Sequence, residues 1–252
     1  MKINSKAFLL FLVVISFVAC ENQNKQQEQD GTTQKEKTRE SVGGVVNDVM
    51  TEEEQDALTP DMVIQALKEG NKKFMQDDLT SRNHSAQVRK SVTAQYPKAI
   101  VLSCVDSRVP VEDVFDRGIG DVFVARVAGN FVNEDILGSM EYACKVAGSK
   151  LVLVMGHEHC GAIKSAVDDV KMGNITPMLA KIRPTVEAIE YDGERTSKNQ
   201  EFVHTASLRN VQNTIEKIRS DSPILKEMEE KGEIKIVGAL YDMDDGSVDF
   251  LK

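Results

Sequence analysis

The chain has 252 residues, of which 41% are hydrophobic and 28% charged, and its formal net charge at pH 7 is −9. This composition is typical of a globular protein, and a chain of this length can bury a core within one domain. Contacts with nucleic-acid phosphates need a basic face, so the acidic balance argues against a nucleic-acid partner.

The N-terminal residues predict an export signal. Lys2 and Lys6 precede an apolar run, 7–19, that is too short to cross about 30 Å of hydrocarbon as a helix. The run ends in "SFVAC", with a small residue directly before Cys20, which is typical of bacterial lipoproteins. We predict a signal peptide over 1–19, a lipid on Cys20, and an exported protein held to a bacterial membrane on the periplasmic or cell-surface side. An ordinary cleaved signal that happens to contain Cys20 is the alternative.

The next segment predicts a linker. Residues 21–40 contain no aromatic and no aliphatic side chain. Such a segment cannot bury enough apolar surface to offset the entropy that it loses on ordering. We therefore predict a flexible polar tether over 20–50, including the lipidated cysteine, and one folded domain over 51–252.

The rest of the chain alternates between strand and helix patterns. Thr59 and Pro60 predict a helix start, with an N-cap followed by proline in the first turn. The segment "KLVLVMG" (150–156) is apolar on both faces, as expected of a central parallel strand. Together these patterns predict an α/β fold, with a mostly parallel central sheet flanked by helices and a C-terminal strand or hairpin. The apolar periodicity predicts strands at 99–102, 121–130, 150–156 and 233–242, and helices at 136–147, from 162, from 177 and at 201–219.

Two of the predicted strands end in reactive side chains. The stretch "VLSCVDSRVP" (101–110) contains Cys104, Asp106 and Arg108, and "GHEHCGA" contains His157 and Cys160. Ligands of open α/β sheets gather at the carboxyl ends of strands, so these groups converge if the two strands are neighbours. Two thiolates and one imidazole are a normal zinc set, and three protein ligands with one open position are the catalytic form.

Other cysteines and histidines have simpler interpretations. Cys144 lies in a helical stretch and is most simply a buried apolar residue. The alternative makes Cys144 a fourth ligand, which would close the zinc site and leave the metal purely structural. His159 is expected to be exposed, with a proton relay as its alternative role. His84 and His204 are expected at the surface, with no partner identified from sequence.

Several segments of the chain resemble the β-class carbonic anhydrases. "CVDSR" followed by "GHEHCGA" carries the resemblance, supported by "LKEGNKKF", "QYPKAIVLS", "GDVFVARVAGN" and "GSMEYA". The similarity runs from about residue 57 to the C-terminus. It implies a β-carbonic anhydrase-like fold, one Zn²⁺ per chain, a homodimer or homotetramer, and carbon dioxide and bicarbonate as substrate and product.

The resemblance also implies roles for the reactive residues. By position, the zinc ligands are Cys104, His157 and Cys160, and the aspartate–arginine pair is Asp106 and Arg108. The expected reaction is the reversible hydration of carbon dioxide to bicarbonate and a proton by zinc-bound hydroxide. Two thiolates cancel the charge of zinc, so its water should be less acidic than water on a three-histidine zinc. A carboxylate beside that water, held ionised by arginine, would compensate.

The substrate pocket is implied by position alone. Gln95 would donate to a substrate oxygen, Gly161 would border the pocket with its backbone, and Phe123 and Tyr142 would form apolar walls. Members of the family often contribute such walls across a dimer interface. Core packing is the alternative for both aromatic residues.

One allosteric subtype of the family adds a bicarbonate site. Its tryptophan would fall at position 101, which is Val101 here, and the chain has no tryptophan. The arginine and tyrosine of that site correspond to Arg126 and Tyr241. The missing tryptophan argues against this form of regulation.

Two other functions are compatible with the sequence. A non-catalytic zinc-binding lipoprotein would need the three ligands but neither Asp106 nor Arg108. Hydrolysis of carbonyl sulfide or carbon disulfide, which relatives of the family perform, would use the same site, because the difference lies in access to the pocket.

Overall fold

The computed structural model describes residues 41, 42 and 44–251. The predicted signal peptide and Cys20 lie outside the described residues, as does most of the predicted tether. Two short antiparallel strands, β1 (Ser41–Val42) and β2 (Val45–Val46), begin the described part. Val46 also pairs with Arg82, and Met50 is buried. Strands and a buried residue are therefore already present before residue 51, where we predicted the folded domain to begin.

A five-stranded sheet forms the centre of the domain. Its spatial order is β4-β3-β5-β6-β7, with the first four strands parallel and β7 antiparallel to β6. This arrangement confirms the predicted α/β fold and its C-terminal hairpin. The strands are β3 (Ala99–Ser103), β4 (Val122–Arg126), β5 (Leu151–His157), β6 (Lys235–Tyr241) and β7 (Val248–Phe250).

Helices cover both faces of the sheet. The start of α2 is as predicted, because the Thr59 hydroxyl accepts from the Met62 N–H and proline opens the first turn. The helices are α1 (Glu52–Asp56), α2 (Pro60–Met75), α3 (His84–Lys90), α4 (Val111–Val114), α5 (Glu134–Glu141), a π-helical turn (Tyr142–Val146), α6 (Gly161–Val167), α7 (Ile175–Leu179), α8 (Arg183–Glu187), α9 (Gln200–Asp221) and α10 (Pro223–Glu230).

The core divides along the sheet. Helices α5, α9 and α10 pack on one face, and α2 and α4 pack on the other. All seven residues of β5 are buried, as its apolar pattern predicted. None of the helices in the described part of the chain is long and apolar enough to span a membrane.

The strand order creates a crevice at the carboxyl ends of the inner strands β3 and β5. The chain leaves β3 towards β4 on one side, and it leaves β5 towards β6 on the other. Loops that diverge in this way open a ligand crevice at the carboxyl ends of the two strands. Leu102 on β3 pairs with Val154 on β5, so Cys104 and His157 come shortly after this pair, at the carboxyl ends of the two strands.

Candidate metal centre

Three potential ligands meet in the crevice between β3 and β5. The ligand atoms of Cys104, His157 and Cys160 all lie within 4.8 Å of one another, and all three residues are buried. Cys104 follows β3, His157 is the last residue of β5, and Cys160 is the N-cap of α6. The structure therefore brings together the three residues that the sequence predicted as zinc ligands.

The turn after β5 orients the imidazole. His157 Nδ1 lies 2.8 Å from the Glu158 carbonyl oxygen, which can only accept, so Nδ1 carries the hydrogen and Nε2 has a free lone pair. The Glu158 N–H donates to the Tyr241 carbonyl at 3.0 Å, which fixes the turn to β6. His159 takes a left-handed φ of 55° and lets the chain reverse towards Cys160.

The donor set fits zinc. His157 Nε2 is buried and has no hydrogen-bond partner, which is a costly state for a polar atom unless it binds a metal. The sulfurs of Cys104 and Cys160 lie 3.9 Å apart. Two thiolates in tetrahedral zinc coordination lie about 3.8 Å apart, because each Zn–S bond is about 2.3 Å. A single zinc ion can therefore bind all three atoms.

The two sulfurs differ in acidity before a metal binds. A hydrogen bond from Cys160 lowers the pKa of the Cys104 thiol, and contacts with His157 and the Gly129 N–H add to this effect against the opposing effect of burial. The same sulfur–sulfur contact, together with burial, raises the pKa of Cys160. A zinc ion bound by both sulfurs as thiolates would displace any proton that they carry.

Asp106 and Arg108 form an ion pair at the edge of this cluster. Arg108 Nε and one terminal nitrogen donate to the two carboxylate oxygens at 2.9 and 2.8 Å, and the Arg108 N–H donates at 3.0 Å. These hydrogen bonds hold the pKa of Asp106 well below its usual range. Asp106 Oδ2 lies 3.9 Å from His157 Nε2, so an ionised acceptor borders the metal position.

Arg126 holds the backbone of the same loop. From the end of β4 its guanidinium donates to the carbonyl oxygens of Cys104, Asp106 and Val109 at 2.9, 2.7 and 2.9 Å. Arginine at this position was assigned from sequence only to a doubtful bicarbonate site. In this structure its donors bind the loop that carries Cys104 and Asp106.

Sequence reasoning missed one contact of the sulfur. The Gly129 N–H donates to Cys104 Sγ at 3.4 Å. We predicted a strand over 121–130, but β4 ends at Arg126, and Gly129 and Asn130 have φ values of 81° and 39°. The adjacent glycine and asparagine were the available signal for this turn.

The remaining cysteine and one histidine also have defined surroundings. Cys144 is buried away from the three-residue cluster, and burial raises its pKa to about 12, so it stays a neutral thiol. His204 is exposed as expected, and the structure adds a partner that the sequence did not identify, because its Nδ1 donates to the Glu158 carboxylate. The two residues are 46 positions apart, and only the packing of α9 brings them together.

Three of the predicted pocket residues lie at the opposite end of the strands. Gln95 and Tyr142 line one cavity of about 550 Å³, and the Phe123 and Tyr142 rings make an edge contact with centroids 6.2 Å apart. Gln95 precedes β3, whereas Cys104 follows it, and a five-residue strand is about 16 Å long. Gly161 is different, because it directly follows Cys160 at the start of α6, where an added Cβ would meet open space.

The crevice, the buried cysteine–histidine–cysteine cluster and the adjacent ion pair define a zinc-binding α/β protein. A sequence profile of the family described as carbonic anhydrase matches residues 99–248. Carbonic anhydrase 2 of Mycobacterium tuberculosis is 35% identical over 187 residues, which cover 72% of this chain and 87% of that protein. The chain therefore belongs to the carbonic anhydrase family.

Solved structures support the β class for the fold. A tetrameric β-carbonic anhydrase of Sordaria macrospora superposes with a TM-score of 0.57 at 24% identity, covering 65% of this chain and 85% of that one. The Coccomyxa β-carbonic anhydrase in complex with acetazolamide gives a TM-score of 0.59 at 23% identity, covering 75% and 84%. The fold and the family expected from the resemblance are confirmed.

Proposed function

We propose that this protein catalyses the zinc-dependent, reversible hydration of carbon dioxide to bicarbonate and a proton. The observation that carries the proposal is a buried set of two sulfurs and one imidazole nitrogen with an ionised carboxylate beside it. Membership of the carbonic anhydrase family supports the same reaction. A purely structural zinc site would need no arginine-held carboxylate at its edge.

Each residue of the site has a defined task. Cys104 and Cys160 would hold zinc through sulfur, and His157 would hold it through Nε2. When bound, zinc supplies a Lewis acid that activates water for attack on the carbon of carbon dioxide. The Glu158 carbonyl keeps the hydrogen on His157 Nδ1, so the other nitrogen stays available to the metal.

Asp106 orients the reacting water. An ionised carboxylate can only accept hydrogen bonds, so Asp106 would accept one from the water. The water oxygen would then have a lone pair directed away from Asp106. Arg108 keeps Asp106 ionised through two side-chain hydrogen bonds, and its own side chain is exposed. Asp106 and Arg108 therefore act as a unit, in which the arginine sets the charge and orientation of the acid.

We further propose that a second copy of the chain completes the substrate pocket. Gln95, Phe123 and Tyr142 cluster at the amino end of the strands, too far from the metal centre of their own chain to touch its substrate. Tyr142 is 52% exposed in the isolated chain, which leaves it free to pack against a partner copy. The tetrameric assembly of the Sordaria macrospora protein is consistent with such a homo-oligomer. The predicted lipid on Cys20 would anchor this assembly to a bacterial membrane after export.

Stopped-flow measurement of carbon dioxide hydration tests the proposed reaction. The zinc-loaded protein should accelerate hydration, zinc removal should abolish the acceleration, and added zinc should restore it. Carbonyl sulfide and carbon disulfide are assayed in parallel. Fully zinc-loaded protein that hydrolyses either sulfur compound but leaves carbon dioxide unchanged would contradict the proposal. Fully loaded protein that acts on none of the three would indicate a non-catalytic zinc protein.

A further inference from the structure

The Gly129 N–H reaches Cys104 Sγ only because of an unusual backbone position. Gly129 has a φ of 81°, and an added Cβ would lie 2.4 Å from Ile182 Cδ1 and 3.3 Å from Ala162 Cβ. A side chain here would strain the backbone at this φ and would require the end of the Ile182 side chain to shift, so the position favours glycine. The Gly129 backbone thus packs closely on Ile182 and Ala162, and its N–H is directed at the Cys104 sulfur.

A buried amide on α9 fixes this segment from behind. Asn210 is 1% exposed, and its Nδ2 donates to the Gly129 carbonyl oxygen at 2.8 Å. One helical turn later, the Thr214 hydroxyl donates to the Asn130 carbonyl oxygen at 3.3 Å. The two contacts hold the carbonyl groups of consecutive residues, and only the first is the carbonyl of Gly129.

Asn210 is one of three buried polar residues on α9, with Ser207 and Thr214, among mostly apolar buried side chains. Asn210 lies next to the buried Val211 on α9, a helix that packs on β5 and β6. An apolar side chain would be cheaper to bury here, because an amide must keep its hydrogen bonds in the core. The Asn210 amide donates to the Gly129 carbonyl, and the N–H of the same glycine donates to Cys104 Sγ.

We propose that Asn210 is a positioning residue of the metal centre: by holding the Gly129 carbonyl, it keeps the Gly129 N–H on the Cys104 sulfur. A hydrogen bond to a metal-bound sulfur reduces the electron density that the sulfur donates, and such contacts outside the ligand shell tune a metal site. The metal would then be more electron-poor than its two thiolates alone would allow. This inference rests on the proposed role of Cys104 as a metal ligand.

Cobalt substitution gives a direct readout of this hydrogen bond. The protein is loaded with Co²⁺, and the sulfur-to-cobalt charge-transfer band is recorded for the wild type, Asn210→Leu and Thr214→Val. Loss of the hydrogen bond leaves the sulfur more electron-rich, so Asn210→Leu should move the band to longer wavelength. With zinc, its carbon dioxide hydration should fall about tenfold, as is typical when a residue behind a metal ligand is lost.

Thr214→Val is the matched control, because it removes the neighbouring hydrogen bond to Asn130 and leaves the one to Gly129 in place. It should lower the melting temperature and leave the band unmoved. If Asn210→Leu does not fold, Asn210→Ala takes its place. An unshifted band in the folded Asn210 variant, or the same shift in Thr214→Val, would overturn the inference. Wild-type protein that binds Co²⁺ without any sulfur band would instead overturn the proposed metal site itself, and the inference with it.

Discussion

Two of the aspartate–arginine pairs among the described residues, Asp106–Arg108 and Asp116–Arg82, differ in how firmly the carboxylate is held. Asp116 is buried and accepts hydrogen bonds from the N–H and hydroxyl of Thr80, at 3.0 and 2.6 Å, and from Arg82 at 2.6 Å. Asp106 is bound by Arg108 alone among the described side chains, and its partner is exposed.

The difference separates a structural pair from a reactive one. Asp116 fastens the segment before α3 to the end of α4, and its oxygens are saturated by protein donors. Asp106 keeps an oxygen facing the buried ligands, 3.9 Å from the imidazole nitrogen. Substituting each aspartate should therefore change different properties, one the stability and the other the reaction.

The largest expected effect concerns the ligands themselves. Cys104→Ser should reduce bound zinc from about one ion per chain to almost none, because hydroxyl is a poor zinc ligand compared with thiolate. Elemental analysis after dialysis measures the zinc content. Cys144→Ser is the control, since Cys144 is buried but lies outside the cluster, and it should retain its zinc. Loss of zinc in Cys144→Ser would mean that this cysteine is a ligand.

Asp106→Asn should come next in size. An amide presents both donor and acceptor atoms and carries no charge, so it cannot hold the water in one orientation. Steady-state carbon dioxide hydration should fall about 100-fold or more, in the range of lost acid–base catalysis. Zinc content and the unfolding free energy should stay near wild type. Equal rates in the two proteins would refute the role given to this carboxylate.

Asp116→Asn should show the opposite pattern. Burial raises the pKa of Asp116, and hydrogen bonds from Arg82 and Thr80 lower it. The hydrogen bonds outweigh burial, so the pKa lies below its usual 3.8 in the folded protein. Breaking this buried pair should lower the unfolding free energy at pH 7 by about 3 kcal/mol. The turnover number per zinc-loaded chain should be retained.

The pH dependence of this loss of stability follows from the lowered pKa of Asp116. A carboxyl group whose pKa is lowered on folding stabilises the protein above its unfolded pKa, and this contribution disappears as the pH falls through the folded pKa. Urea unfolding of wild type and Asp116→Asn should therefore differ fully near pH 7 and converge below about pH 3.9. A difference that grows on acidification would contradict the assigned ion pair.

The smallest predicted effect concerns Arg126. Arg126→Gln removes the donors to three carbonyl oxygens of the loop that carries Cys104 and Asp106, so hydration should fall about tenfold. Arg195→Gln is a suitable control, because Arg195 also binds main-chain carbonyls, those of Val186, Glu187 and Ile189. It should lower the melting temperature and leave the rate per bound zinc unchanged. Equal rates in both variants would show that the loop does not need Arg126.

Much of the site could be read from the sequence because it depends on strand ends. The apolar runs before Cys104 and His157 predicted two strands of a mostly parallel sheet, and the three ligands meet because the structure places these strands side by side. The contacts between distant elements could not be predicted. Asn210 meets Gly129 only through the packing of α9, and Asp116 meets Arg82 across a polar segment whose pattern favours no element.

X-ray absorption at the zinc edge of the zinc-loaded protein tests the metal centre most directly. Two sulfur neighbours and two nitrogen or oxygen neighbours are expected, which correspond to Cys104, Cys160, His157 and one exchangeable position. Three sulfur neighbours would mean that another thiol closes the site, and a single sulfur would mean that Cys104 or Cys160 does not bind zinc. Either result would contradict a reactive zinc site formed by the loops after β3 and β5.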